Sequence, residues 1–485
     1  LPRAANPPPA PPAEASAARP EPAERGLKAR HVRMVGLGGA LGIGLFLASG
    51  KLIQAAGPGL LLAYAVCGAL AYLVLRALGE LVVYRPVSGS FTSYAREFLG
   101  PWAEFVTGWT YWFTWVMVGM SEVTAVGMYV QVWLPSVPQW VSALLALVAV
   151  GTANLVAVRL FGEIEFWAAI VKVVTIVAII LTAVAVAVFG FGAEHGSGVA
   201  NLWGEGGVFP HGALAVLFAL PLAYSSFQGV ELVGLTAGEA ERPREVLPSV
   251  FRSVLWRIAL FNIGALAALM VLIPWHRVST SSSPFVQAFD QLGVPGAADI
   301  VNFVVLTAAL SVCNSGVFGT GRLLMTLGQD GHAPRWLGVA NRRGVPARAL
   351  AVSLVVMLVS VVVNFLAPKE AFLYLYSVSV FGGLLTWAVI VATHLRYRKA
   401  VAAGRAPAVD FRMPGPRWLS WVLLAVLALV TALFAAHEET RVALIVGPAW
   451  LAALSGAYLV IRRRHRTAPA GQPEPSETTP ADVTG

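Results

Sequence analysis

The stretch GGALGIGLF, residues 38–46, spaces its glycines as G-x-x-x-G-x-G at Gly38, Gly42 and Gly44. Two local structures accommodate that spacing. One is a nucleotide-binding turn, which needs a strand before it, a helix after it and further βαβ units. The other is a membrane helix interrupted by glycine. Upstream stands the basic segment LKARHVRMVG (27–36), downstream stands another long apolar run, and no alternation of strand and helix follows. The context a nucleotide turn requires is missing, so the interrupted membrane helix is the reading carried forward.

Composition agrees. The 485 residues are 57% hydrophobic and 12% charged, against about 25% charged in an ordinary soluble domain. Apolar runs long enough to cross a bilayer, about 20 residues each, recur along the chain. They predict an all-α polytopic membrane protein of about twelve transmembrane helices, near 32–54, 59–83, 103–131, 139–160, 166–191, 212–236, 250–274, 298–327, 349–367, 371–394, 418–436 and 442–461.

The net charge of +9 is informative through its placement. Basic connecting segments such as RPREVLPSVFRSVLWR (242–257), HLRYRKAVAAGR (394–405) and RRRHR (462–466) fall on one side of the predicted topology. The other side holds only Lys51, Arg277, Lys369 and Arg441. Positive charge near spans stays cytoplasmic, which places both termini inside a multi-pass cell-membrane protein and excludes a nucleic-acid partner. Cys67 and Cys313 lie inside apolar runs without metal-ligand spacing and read as packing residues. Residues 1–30 and 467–485 are polar and proline-rich, expected as disordered cytoplasmic tails; residues 1–24 lack the apolar centre of a signal peptide.

A second interruption falls in the sixth span. LPLAYSSFQGVELVG (220–234) carries Pro221, the Ser225–Ser226 pair and Gly229, each of which weakens a regular helix. Interrupted spans in corresponding positions of two halves point to a transporter built from two inverted repeats. The unwound segments would free amide N–H groups for a carboxylate.

Four long segments, in order, then carry a family resemblance. GGALGIGLFLASG (38–50), PVSGSFTSYAREFLGPWAEFVTGW (86–109), FQGVELVGLTAGEAERPREVLP (227–248) and CNSGVFGTGRLLMTLGQDGHAPRW (313–336) resemble segments of bacterial amino-acid permeases of the amino acid–polyamine–organocation superfamily. The likeness covers roughly residues 27–465. It implies a LeuT-like five-plus-five inverted repeat with discontinuous helices one and six, plus two C-terminal helices. The core would span 31–394, and helices eleven and twelve with their preceding loop 395–466. It further implies secondary active amino-acid transport, usually proton-coupled, with the proton as coupling ion and no other cofactor.

By that resemblance, Gly42, Ile43 and Gly44 offer amides to the substrate carboxylate, and the break formed by Tyr224, Ser225, Ser226, Phe227 and Gly229 offers carbonyls to its ammonium. Relatives often carry Thr where Ile43 stands and an aromatic where Ser225 stands, departures that bear on substrate identity. A lysine at the place of Lys172 replaces a sodium ion in proton-coupled relatives, its ammonium bridging helices; snorkelling to the interface is the plainer alternative.

Ionisable and polar groups inside spans complete the set. Glu122 in VMVGMSEVTAVGMY (116–129) lies at mid-span, where a charge is costly and a role or partner is expected. It is a candidate for substrate binding and for proton coupling. Glu231, just past the second break, is a gate or a cap for freed amides. Asn314 lines the cavity or bonds a neighbouring helix. The expected function is proton-coupled import of small or neutral amino acids by alternating access, with the substrate and the lipid bilayer as partners. The alternatives are an exchanger without proton coupling and a non-transporting nutrient sensor. No nucleophile–base pair or metal-ligand cluster is visible among the spans, so an enzyme is not expected.

Overall fold

The computed structural model describes residues 44–87, 90–156, 158–190, 196–235, 259–280, 282–291, 295–341, 344–436 and 438–467, together with Gly42 and Gly293. Ile43 and the tail segments 1–30 and 468–485 lie outside the described residues. Among the described residues the chain is helical, with no strand, as a bilayer core demands of a chain that does not close into a barrel.

The first described element is a π-helical turn, Gly44–Ala48, running into α1, Ser49–Ala56. A 3-10 turn at Gly57–Gly59 leads to α2, Leu60–Tyr84. Together these make one apolar run of 41 residues. At 1.5 Å per residue such a run is about 60 Å long, twice the hydrocarbon thickness, so it must turn back. It does so at Gly57, whose φ of +59° and ψ of −152° leave the helix, so it holds the described end of the first predicted span, from residue 44, and the whole of the second.

The amphipathic α3, Ser90–Leu99, precedes α4, Pro101–Trp133, which starts where Gly100 (φ +99°) is followed by proline at the first helical position. Next come α5, Gln139–Val156, α6, Val158–Phe189, α7, Ala213–Ser225, the single turn α8, Leu232–Leu235, and α9, Ala259–Leu272. Short α10, Pro284–Gln291, leads to α11, Ala297–Gln329. Then follow α12, Ala347–Met357, α13, Val359–Leu366, α14, Ala371–Ala402, α15, Trp418–Ala432, and α16, Glu438–Thr467.

Eight helical segments among the described residues are long and apolar enough to cross a membrane, and three more apolar helices are shorter: Gln139–Leu155, Ala213–Ser225 and Ala259–Leu272. Of the twelve predicted spans, the first two share the segment Gly44–Tyr84, and the fourth, sixth and seventh correspond to the three shorter helices, so eight long segments remain among the described residues; α7 is cut short by the break that follows it. The predicted span 349–367 is also divided, at Leu358, whose N–H bonds both Leu354 O (3.0 Å) and Val355 O (3.3 Å).

The centre of the bundle is α4 packed against α11 and α14. The apolar stretches of α4 and α14 are 72% and 78% buried, against 28% and 11% for the spans Trp418–Ala436 and Thr440–Arg463. The last two helices are therefore peripheral and offer their apolar surface to lipid. Helix α14 runs eight residues past its predicted end. It stops at Gly404 (φ +69°), where Arg405 N–H reaches Ala400 O at 2.9 Å and satisfies a terminal carbonyl.

At that end of the bundle the connection 403–417 is fastened to α2 and α14 by one carboxylate. Glu80, 5% exposed, accepts from His394 Nε2 (2.9 Å), Arg398 Nε (3.1 Å) and Nη2 (3.0 Å), and the Met413 N–H (2.7 Å). Arg398 also donates to Met413 O at 2.7 Å, and Arg76 lies 3.8 Å over the Phe411 ring. Removing one partner of a buried ion pair strands the rest, a loss of about 3–5 kcal/mol. Glu80→Ala is accordingly expected to lower the thermal midpoint of the detergent-solubilised protein and to speed tryptic cleavage at Arg405 and Arg412. An unchanged midpoint and cleavage rate would contradict the fastening role.

Candidate functional site

The start of the first described helix and the break that follows α7 meet in the core. In the first, Gly42 O accepts from Leu45 N–H (3.2 Å) and Phe46 N–H (3.4 Å) before the π-helical turn begins at Gly44. The opening N–H groups of a helix have no partner within it; here those of Leu45 and Phe46 are held by Gly42 O, at the break itself. The glycines are required by crowding. A Cβ on Gly42 would stand 2.9 Å from Glu122 Oε1, and one on Gly44 would stand 2.6 Å from Tyr376 Oη and 3.1 Å from the hydroxyls of Ser225 and Ser226.

The second interruption follows α7, which contains Pro221. From Ser226 to Glu231 the backbone makes tight turns: Phe227 N–H to Tyr224 O (2.9 Å), Gln228 N–H to Ser225 O (3.1 Å) and Leu232 N–H to Gly229 O (3.1 Å). Gly229 has φ +95°, a conformation that side chains disfavour. Its N–H is held by both oxygens of Glu231 (3.1 and 3.2 Å), which also accept from Trp387 Nε1 (3.1 Å) and Tyr111 Oη (3.4 Å). Glu231 is thus placed as the cap of the unwound segment.

Between the two breaks lies a cavity lined by Gly42 and Gly44 from the first, Ser225 and Gln228 from the second, Trp115, Val118, Ser121 and Glu122 from α4, Val312 from α11, and Tyr376 and Ser379 from α14. It offers about 30 Å³ to the centres of water molecules. One water needs about 10–15 Å³ on that measure, so in this conformation the cavity has room for about two or three waters and none for an amino acid. Two residues past Gly44, the Phe46 ring packs 4.9 Å from that of Phe285 on α10, and Phe46 O accepts from Ser283 Oγ at 2.7 Å. The loop before α7 places Pro210 against Gly57 and bonds His211 Nδ1 to Ala55 O (3.0 Å).

Of the residues expected at the site, Gly42, Gly44, Glu122 and Ser225 line the cavity. Others in the second break turn away from it. Tyr224 packs edge-on against Trp387 (4.5 Å), Ser226 Oγ bonds Tyr64 Oη (3.0 Å), and Phe227 packs 6.0 Å from the Tyr64 ring. Asn314 Oδ1 accepts from Asn154 Nδ2 at 2.7 Å, a bond between α11 and α5. Lys172 does not snorkel: its side chain is fully buried and Nζ donates to Ser311 Oγ at 3.2 Å, tying α6 to α11 one residue from cavity-lining Val312.

Sequence reasoning missed Trp115, Val118, Ser121, Gln228, Val312, Tyr376 and Ser379. Part of the signal was available. Trp115 and Val118 stand seven and four residues before Glu122 on the same helix face. On α14, Tyr376, Ser379, Gly383 and Trp387 follow helical spacing, and each meets the second break. Tyr376 Oη is hydrogen-bonded to Ser225 Oγ, Ser379 O accepts from Gln228 Nε2 (3.4 Å), and a Cβ on Gly383 would meet Tyr224 Oη at 2.7 Å. Trp387 completes the row through Glu231.

Comparisons with known proteins agree with this architecture. A family model described as "Amino acid permease" matches residues 31–468. The chain is 43% identical over 441 residues to the amino-acid permease AapA of Bacillus subtilis, an alignment covering 91% of this chain and 95% of AapA. It is 42% identical over 448 residues to the "Probable threonine/serine transporter YbxG" of the same organism (92% and 96%). It is also 42% identical over 443 residues to the aromatic amino acid transport protein AroP of Escherichia coli K12 (90% and 96%).

Proposed function

The chain belongs to the amino acid permease family, and from that premise we propose that it is a secondary active transporter carrying small or neutral amino acids together with protons. The observation that carries this reading is that Gly42 and Gly44, at the start of the first described helix, and Ser225 and Gln228, at the break after α7, line one central cavity. Twelve spans in a five-plus-five inverted repeat with two further helices, and both termini in the cytoplasm, complete the proposal. Alternating access then amounts to opening the cavity first to one side and then to the other.

The amides of the first break take the substrate carboxylate, as unwound membrane helices do for anionic groups. In the second break the carbonyls of Tyr224, Ser225, Phe227 and Gly229 already accept turn bonds. Each keeps a second lone pair for an ammonium.

The position of Glu122 supports proton coupling. A carboxylate seated on the Gly42–Gly44 amides lies against Glu122, whose Oε1 borders Gly42. Two ionised carboxylates at short range in a dry cavity repel strongly, whereas a protonated Glu122 is a hydrogen-bond donor. Substrate and proton therefore bind together. Lys172 acts at one remove: charged, it holds Ser311 of α11 beside Val312, and loss of its proton weakens that tie.

The relatives' names span threonine/serine and aromatic substrates at the same level of identity, so identity alone does not choose the amino acid. Uptake into proteoliposomes tests the coupling. Symport predicts accumulation driven by an imposed inward proton gradient with no amino acid inside. No response to the gradient, with strict dependence on internal amino acid, would make the protein an exchanger.

A further inference from the structure

Once backbone groups of the two breaks take the carboxylate and ammonium, the polar side chains left on the cavity wall are Glu122, against the first break, and the neutral Ser121, Ser225, Gln228, Tyr376 and Ser379. Ser225 Oγ and Tyr376 Oη form a hydrogen-bonded pair across it, and Gln228 stands next to them. Trp115, Val118 and Val312 form the apolar wall. Tyr376 has the most constrained position of these. It is 4% exposed, its ring is stacked on Phe372 at 5.2 Å and 20°, and its hydroxyl fills the space that a side chain at Gly44 would need. It therefore reaches both helix breaks from a third helix, α14.

We infer that Tyr376 determines substrate specificity, and that the cavity takes short amino acids whose side chain carries a hydroxyl. The inference rests on the reading of this cavity as the substrate site. A hydroxyl both donates and accepts, so a substrate hydroxyl can insert into the Ser225–Tyr376 pair and satisfy both members. An aliphatic side chain of the same size must either leave that pair closed and in its way or break it without replacement. Sites built to bond a substrate hydroxyl discriminate against the analogue lacking it far more strongly than apolar pockets discriminate by size. The Tyr376 ring also sets a length limit, because it closes the cavity against Gly44.

The test compares serine with alanine as competitors for uptake of labelled serine into proteoliposomes, in wild type, Tyr376→Phe and Gly44→Ala. In wild type, serine is expected to compete at least about tenfold better than alanine, since one net hydrogen bond is worth about a factor of ten. Tyr376→Phe keeps the ring and its stacking, and is expected to bring the two within about threefold, mainly by weakening serine. A purely structural tyrosine would weaken both equally and leave the ratio intact. Gly44→Ala, whose methyl group crowds the substrate position, is expected to raise the half-saturating concentration for both.

Equal competition by serine and alanine in wild type overturns the inference. So does an unchanged ratio in Tyr376→Phe while Gly44→Ala impairs uptake, an outcome that leaves the cavity as the substrate site. If Gly44→Ala transports like wild type, the site reading falls and the inference falls with it.

Discussion

Replacing Gly44 by leucine is expected to abolish substrate binding, with a loss of at least about 100-fold in affinity, equivalent to roughly 2.7 kcal/mol. The reason is crowding. The first added carbon alone would stand 2.6 Å from Tyr376 Oη and 3.1 Å from two serine hydroxyls, and three further carbons would fill a cavity that holds only a few waters. Overpacking of that kind costs about 1–3 kcal/mol even where no ligand is involved. The bulk also lies directly over the amides that a carboxylate must reach. Equilibrium binding to the purified protein, with size-exclusion chromatography to confirm folding, checks the result. Wild-type affinity in a well-folded Gly44→Leu protein would remove the first break from the substrate site.

The fold was legible because a bilayer leaves few options. Apolar runs of the right length have to be helices, and α4, α11 and α14 begin and end within a few residues of the predicted spans, α14's C-terminal extension excepted. The reversal at Gly57 falls between the first two predicted spans, whereas Gly108 and Gly119 lie inside one predicted span, where α4 only makes room for Leu327 and Met357. The break after α7 was visible because proline, paired serines and glycine coincide there.

The site was legible in its backbone and hidden in its walls. Gly42, Gly44 and Ser225 stand at local irregularities that a linear reading can find, and Glu122 is a carboxylate where the membrane penalises one. Tyr376 and Ser379 lie in a regular helix whose sequence, LYSVSVFGGLLTW (375–387), has no unusual residue for a membrane span. Their importance comes from which element α14 packs against, and that is tertiary information. The same holds for Asn314. A polar residue at mid-span is equally suited to line a cavity or to bond another helix, and only the position of Asn154 shows that the interhelical bond is made.

Glu122→Gln and Lys172→Ala, measured side by side, should separate two ways of carrying the proton dependence. Glutamine has the shape of a protonated glutamate and cannot ionise. Glu122→Gln is therefore expected to bind substrate with near wild-type affinity at low pH and to hold that affinity as pH rises, where wild type weakens because Glu122 loses its proton. Gradient-driven accumulation should fall to the level of passive equilibration, while exchange of internal for external substrate persists. Lys172→Ala removes the ammonium that donates to Ser311 and leaves Glu122 in place. Its affinity should still decline with rising pH, but its turnover should fall about tenfold or more, because the link between α6 and α11 next to the cavity is gone. That separation, affinity against pH for one variant and turnover for the other, follows from geometry: Glu122 lines the cavity and Lys172 reaches it only through α11. A wild-type pH profile with full accumulation in Glu122→Gln would leave that residue a structural role alone. The same result in Lys172→Ala would show that the buried lysine serves packing and not the transport cycle.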